Sequence, residues 1–134
     1  HLEEGFNEHR QNWSCIPDVQ CDTRNLPFQS ETFDLIAYDP PHRIKEGGMK
    51  QISGVIEKKY GALNAETWQS DLRRGFEECW RVLKPGGTLT FKFADNAADW
   101  TDVLELFPRE PLYGTTNKKR TGVQMRWFVF YKPE

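Results

Sequence analysis

The clearest apolar run of this chain lies at residues 33–38, which read Phe-Asp-Leu-Ile-Ala-Tyr. A short, nearly continuous apolar run is typical of a central strand in a parallel sheet, where helices cover both faces. Asp39, Pro40 and Pro41 follow directly, and proline has a fixed φ angle and no N–H donor. We therefore expect the chain to leave the sheet at Asp39 through a stiff turn.

The longest helical pattern spans residues 65–83, where apolar residues recur at every third or fourth position on one face. These residues are Trp68, Leu72, Phe76, Trp80 and Leu83. Asn64 is suited to cap this helix, and Glu66 is favourable in its first turn. Residues 84–87, Lys-Pro-Gly-Gly, predict a helix end with a left-handed glycine.

Four further segments have the composition or alternation of strands, namely residues 18–21, 88–93, 111–116 and 123–131. The last two are spaced as a closing antiparallel hairpin, and a short helix is expected within residues 94–107. Strands that alternate with helices predict an α/β fold. The length of 134 residues predicts a single domain over residues 1–134.

Positive charge is concentrated in two places that are expected to be loops. These basic residues are Arg43, Lys45 and Lys50 in one loop, and Lys118, Lys119 and Arg120 at the tip of the hairpin. Residues 43–62 predict a mobile loop with a short helix near residues 52–59. Such cations contact the phosphates of a nucleic acid, or they are simply solvated; the sequence leaves both interpretations open.

Composition narrows the functional classes. The formal net charge is −2, so nucleic-acid binding would depend on a local patch and not on the overall charge. No apolar run approaches a membrane span. Cys15, Cys21 and Cys79 form no Cys-x-x-Cys pair, so neither a disulfide framework nor a zinc site is expected, and a reducing, cytoplasmic setting fits.

Residues 39–42, Asp-Pro-Pro-His, resemble motif IV of the class I S-adenosylmethionine-dependent methyltransferases. They are most similar to the branch that methylates exocyclic amino groups of nucleic-acid bases. The resemblance implies that Asp39 accepts a hydrogen bond from the target amine and that the Pro40 carbonyl assists. Pro41 keeps the turn rigid, and His42 takes the place of the Tyr, Phe or Trp ring that stacks on the flipped base.

Residues 22–34 resemble the segment that links the third and fourth strands in the same family. They read Asp-x-x-x-Leu-Pro-Phe, then a polar turn, then Phe-Asp. The resemblance implies that Asp22, Thr23 and Leu26 bind S-adenosyl-L-methionine, with Asp22 on the adenine amino group. If residues 18–21 are instead the second strand, Asp22 would reach the ribose hydroxyls.

The glycine-rich turn that opens the cofactor site of this family has no counterpart, because the chain contains no Gly-x-Gly. We therefore expect a shortened, Rossmann-like sheet that is mostly parallel and ends in an antiparallel strand. Missing strands would expose sheet edges. Three explanations remain open. The sheet closes up in a shortened form, a homodimer or partner chain completes it, or the chain is a remnant that folds but does not catalyse.

The resemblance implies methyl transfer to adenine or cytosine, most directly in DNA. RNA and small molecules are weaker alternatives, because only residues 39–42 point to a base. A binding or interaction module that keeps the fold without catalysis is the alternative from another class, and the missing Gly-x-Gly favours it.

Overall fold

The computed structural model describes residues 4–6, 12–14, 16–54, 57, 60–95, 97–115 and 124–134. Its strands are β1 (Glu4–Phe6), β2 (Asn12–Ser14), β3 (Phe33–Tyr38), β4 (Ile44–Lys45), β5 (Leu63–Asn64), β6 (Leu83–Ala94), β7 (Tyr113–Gly114) and β8 (Met125–Tyr131). Its helices are a 3₁₀ turn (Gly48–Gln51), α1 (Trp68–Val82) and α2 (Trp100–Glu105). None of the helices in the described ranges is long and apolar enough to cross a membrane.

The main sheet has four strands in the order β3-β6-β8-β7. β3 pairs with β6 in parallel, whereas β8 is antiparallel to both β6 and β7. The α/β class and the closing antiparallel pair are confirmed. The expectation of a mostly parallel sheet is wrong, because the reversed β8 lies between two strands and so makes two of the three pairings antiparallel.

Helix α1 confirms the predicted apolar stripe. Leu72, Phe76 and Cys79 are buried on the face that packs against β3 and β6. The predicted ends need correction. The helix begins after Thr67, while Asn64 Oδ1 accepts from the Glu66 N–H at 2.9 Å in the preceding turn. Leu83 is already extended, so the left-handed glycine is not part of the helix end.

The two helices cover only one face of the main sheet. Phe91, Phe93, Phe128 and Phe130 alternate along β6 and β8 and are buried under α1 and α2. On the other face Leu35 is 65% exposed. The interpretation of residues 33–38 as a central strand covered on both sides is therefore wrong, since β3 is an edge strand and pairs only with β6 among the described residues.

Two loop predictions also change. No strand forms within the described residues 16–32; the predicted strand at 18–21 is replaced by an irregular segment, and a turn follows in which the Asn25 N–H donates to the Asp22 carbonyl at 2.9 Å. The segment 43–62 contains β4 and the 3₁₀ turn. Strand β5 follows this segment and pairs in parallel with β4. Of the predicted helix near residues 52–59, residues 52–54 are not helical, and residues 55, 56, 58 and 59 lie outside the described residues.

Candidate active site

The end of β3 brings Asp39 beside β6. Tyr38 pairs with Phe91 in the parallel register, so Asp39 comes next to Lys92 at the same sheet end. The Asp39 Oδ2 atom lies 3.5 Å from Lys92 Nζ, and its Oδ1 atom lies 3.2 Å from His42 Nε2. The Asp39 side chain remains 50% exposed. The carboxylate is thus held by two groups and is still open to a ligand.

His42 is mostly covered, because its side chain is only 18% exposed. Its ring meets Phe93 edge to face, with the ring centroids 5.5 Å apart. The His42 Nδ1 atom is buried and has no hydrogen-bond partner among the described residues. Burial lowers the pKa of His42, Asp39 opposes this change, and Lys92 adds to it. The ring is therefore favoured in its neutral form.

Asp39 and His42 line a cavity of about 250 Å³. The lining residues are Asp39, Pro40, Pro41, His42, Arg43, Tyr60, Gly61, Lys92 and Met125. Gly61 has a φ angle of 80°, and a Cβ atom there would approach Pro41 Cγ to 3.3 Å. The close approach of this backbone helps to form the cavity wall. The cavity lining therefore includes one carboxylate, two prolines and two cationic side chains, Arg43 and Lys92.

A second cavity, of about 480 Å³, contains Asp22 and Thr23. Arg24 binds both Asp22 oxygens, with Nε 2.9 Å from Oδ1 and Nη2 2.6 Å from Oδ2. The Arg24 Nη1 atom donates to Asp71 Oδ1 on α1 at 3.0 Å. The hydrogen bonds from Arg24 lower the pKa of Asp22 to about 2. Asp22 is therefore a charged, oriented acceptor.

Pro40 and Pro41 line both cavities. Tyr38, the last residue of β3, is buried in the wall of the Asp22 cavity and donates to the Leu72 carbonyl at 3.2 Å. This bond ties the end of β3 to α1. Pro40 and Pro41 are thus shared by the lining of a cavity with Asp22 and the lining of a cavity with Asp39.

Leu26 does not join Asp22 and Thr23 in their cavity. It lines a groove of about 430 Å³ along the free edge of β3, and Thr23 lines both spaces. The Leu26 N–H donates to Glu78 Oε2 on α1 at 2.8 Å, and Arg81 donates to the Leu26 carbonyl at 3.1 Å. These bonds give Leu26 a structural position against α1, away from the Asp22 carboxylate.

The predicted basic residues fall in different surroundings. Arg43 lines the Asp39 cavity, and Lys50 lines the Asp22 cavity. Lys45 binds Glu57 Oε2 at 2.9 Å and lines neither cavity. Lys118, Lys119 and Arg120 lie outside the described residues. Of the predicted basic residues that the structure describes, Arg43 and Lys50 are therefore the two that line the candidate site.

Sequence reasoning missed Arg24, Lys92 and Tyr38 as parts of the site. Arg24 had a signal, since it lies two residues after Asp22 in a segment rich in turn-forming residues, where side chains bind nearby groups. Lys92 had a weaker signal as the polar residue between Phe91 and Phe93. Its approach to Asp39 depends on the pairing of β3 with β6, which no local pattern specifies.

Comparisons of this chain with models of protein families, with curated proteins and with solved structures find no match.

Proposed function

We propose that this protein transfers a methyl group from S-adenosylmethionine to an exocyclic amine of a nucleic-acid base. The observation that carries the proposal is the pair of cavities that share Pro40 and Pro41 in their linings. A transfer reaction needs two ligands that meet at one point, and two cavities with a shared, rigid wall suit this need. The resemblance of Asp39–His42 to motif IV agrees with this proposal. The antiparallel strand β8 agrees with it as well.

The Asp22 cavity suits the cofactor in size and chemistry. Its volume of about 480 Å³ lies within the usual range for small-molecule sites. Arg24 keeps the pKa of Asp22 low, and its N–H, Nε and Nη2 groups already donate to both carboxylate oxygens, so a ligand amine or hydroxyl would share or replace these bonds. Thr23, Asn64 and Thr67 add polar groups to the lining. When bound there, S-adenosylmethionine would supply an electrophilic methyl group on a sulfonium.

Asp39 and Pro40 would act on the target amine. An exocyclic amine is a poor nucleophile while its lone pair is conjugated with the base ring. Hydrogen bonds from the amine to the Asp39 carboxylate and to the Pro40 carbonyl would turn it toward tetrahedral geometry and free the lone pair. The rigid turn would supply orientation at little entropic cost, because the prolines are already fixed.

Adenine and cytosine carry such amines, and DNA is the proposed polymer, with RNA as the alternative outcome of an assay. A base must leave its stack to reach a cavity of this kind. Arg43, at the mouth of the Asp39 cavity, would contact the backbone of the substrate. Lys118, Lys119 and Arg120 remain proposed contacts of the same sort.

A second candidate function is favoured by the free edge of β3. Apolar residues line the groove beside it, among them Phe28, Phe33 and Leu35. An unpaired, apolar strand edge accepts a strand from another chain. A non-catalytic module that binds a second copy of this chain, or a partner chain, would complete the sheet there. Sedimentation at several concentrations, with Leu35→Lys as the edge variant, separates a self-associating chain from a monomer.

Calorimetric titration of the purified chain with S-adenosylmethionine and S-adenosylhomocysteine tests the main proposal. We expect dissociation constants of about micromolar, which corresponds to roughly −8 kcal/mol. Asp22→Ala should weaken binding about tenfold or more, whereas Asp18→Ala, which removes an exposed carboxylate on the same segment, should not. If neither compound binds at millimolar concentration, the proposal fails and the binding module becomes the better account.

A further inference from the structure

We propose that His42 is a positioning residue that orients Asp39 through its Nε2–H group, and that it is not the ring on which a target base stacks. The inference rests on the proposed function, because it assigns His42 a role in the same site. Its basis is the 3.2 Å approach of Nε2 to Asp39 Oδ1, together with the burial of the opposite ring nitrogen.

Burial argues against stacking by His42. A stacked base needs one complete ring face, whereas only 18% of this side chain is exposed. The edge-to-face contact with Phe93, at a centroid distance of 5.5 Å and an interplanar angle of 88°, holds the ring on the core side of the turn. The role that the resemblance implies for this position therefore does not fit the observed ring.

The surroundings of the two ring nitrogens select one tautomer. Nδ1 is buried without a partner among the described residues, so a proton there would be an unpaired buried donor, which is costly. Nε2 lies instead 3.2 Å from Asp39 Oδ1, which can accept a proton donated there. The charged or titratable groups that share the cavity with the ring are Asp39, Lys92, Arg43 and Tyr60. His42 is thus a neutral Nε2–H donor.

The consequence is a carboxylate that is oriented before a substrate arrives. Asp39 Oδ1 faces His42, and Oδ2 faces Lys92 at 3.5 Å. Both oxygens have further lone pairs, and half of the side chain is open to the cavity. An incoming amine would therefore meet an acceptor of fixed direction. Loss of that direction should slow the chemical step more than it weakens substrate binding.

Two substitutions separate positioning from stacking. His42→Phe keeps an aromatic ring and removes the donor; it introduces a residue that the methyltransferase family itself uses at this position. Positioning predicts that kcat falls about tenfold to a hundredfold while KM for an oligonucleotide changes little. His42→Gln removes the ring but offers an amide N–H near the place of Nε2, so it should recover much of kcat. Unchanged kcat in His42→Phe, or no recovery in His42→Gln, would overturn the inference.

A nitrogen-15 NMR titration of the histidines tests the proposed contact of the His42 Nε2–H group with Asp39 and needs no activity assay. The chain has three histidines, and the His42 signal is the one that disappears in His42→Phe. We expect it to show the neutral Nε2–H tautomer near pH 7, and Asp39→Ala should shift it. A protonated ring or the Nδ1–H tautomer would contradict the inference. If the unaltered protein transfers no methyl group, the proposed function fails, and this spectrum still decides the His42–Asp39 bond.

Discussion

Arg24 holds both carboxylate oxygens of Asp22, with two of its nitrogens at 2.9 and 2.6 Å. The same guanidinium reaches Asp71 on α1. This relationship fixes the carboxylate that is proposed to bind the cofactor, although residues 16–21 directly before it form no strand. It also makes the low pKa of Asp22 dependent mainly on one neighbour.

Arg24→Gln should raise the pKa of Asp22 from about 2 toward the ordinary value near 4, because the largest cause of the lowering is the side-chain bond to Arg24. Since the folded pKa is depressed, the stabilising contribution of this pair is present above pH 4 and is lost as the pH falls toward 2. Carboxyl carbon-13 NMR measures the shift, and acid unfolding should show a shallower loss of stability in the variant over that range.

Asp71→Asn is the matched control, because it removes the negative charge of the second partner of Arg24 and leaves the bond to Asp22 in place. The Asp22 pKa should stay low in this variant. A pKa that stays near 2 in Arg24→Gln would show that another group lowers it.

Gly75→Ala should destabilise the protein by about 1–3 kcal/mol, although alanine is the better helix former. A Cβ atom at Gly75 would overlap the hydroxyl of the buried Tyr38 and approach its Cζ to 2.9 Å. The contact that ties β3 to α1 would have to shift. Urea unfolding measures the change in the free energy of unfolding.

Ser70→Ala provides the control for helix propensity, because residue 70 is exposed on the same helix. It should be neutral or slightly stabilising. Tyr38→Phe should reduce the cost of Gly75→Ala, since it removes the hydroxyl. Equal stability of Gly75→Ala and the unaltered chain would contradict the packing described between β3 and α1.

Arg126→Met should cost about 3–5 kcal/mol, because it leaves Asp95 charged and buried. The Arg126 Nε atom lies 2.8 Å from Asp95 Oδ2, and the two side chains are 3% and 6% exposed. Arg126 also donates to the Thr115 carbonyl at 3.1 Å and lies over the Trp100 ring. The pair therefore joins β8 to the end of β6, to the residue after β7 and to α2.

The double variant Arg126→Met with Asp95→Leu should be less destabilised than Arg126→Met alone, since it no longer buries a carboxylate that has lost its ion pair with Arg126. Thermal unfolding of the three proteins tests this order. A double variant that is less stable than Arg126→Met would contradict this and would show that Asp95 stabilises the fold through groups other than Arg126, such as the Gln124 N–H.

Trp127→Ala should weaken binding of a single-stranded oligonucleotide about tenfold, as expected for the loss of one aromatic stacking contact. Trp127 is 46% exposed and lies opposite Lys92, whose Nζ atom is 5.3 Å from the centre of its ring. Trp127 is therefore a solvent-exposed aromatic ring that contacts Lys92, which in turn lies 3.5 Å from Asp39. Fluorescence anisotropy of a labelled oligonucleotide measures the affinity.

Tyr131→Ala is the matched control for Trp127→Ala. Tyr131 is 43% exposed on the same face of β8 but lies opposite Thr88, at the far end of the pair. Its loss should leave oligonucleotide affinity nearly unchanged. Equal effects of the two substitutions would place the nucleic acid elsewhere or show that binding is non-specific.

Local patterns predicted the elements but not their arrangement. The stripe from Trp68 to Leu83 depends only on helical spacing, so α1 was predicted to within three residues, and the apolar run at 33–38 matches β3. That run does not reveal that β3 lies at an edge with Leu35 exposed, because its neighbours are set by contacts distant in sequence.

In the candidate site, too, local sequence predicted single features but not how the fold brings them together. The turn at Asp39 could be predicted from two prolines, and the structure brings Asp39 and His42 together. The burial of His42 depends on Phe93, which lies far along the chain on a different strand. Leu26 was placed with Asp22 because of a motif, whereas its position depends on hydrogen bonds to Glu78 and Arg81 of α1.

The most direct test of the proposed transfer uses S-adenosylmethionine with a labelled methyl group and single-stranded and duplex DNA that contains adenine and cytosine. The unaltered chain should label the DNA. Asp39→Ala should abolish labelling while the affinity for S-adenosylhomocysteine stays nearly unchanged, and Asp39→Asn, which keeps an acceptor oxygen, should retain part of the activity. Absence of labelling by a chain that binds the cofactor, or loss of labelling and cofactor binding together in Asp39→Ala, would contradict the role assigned to this site.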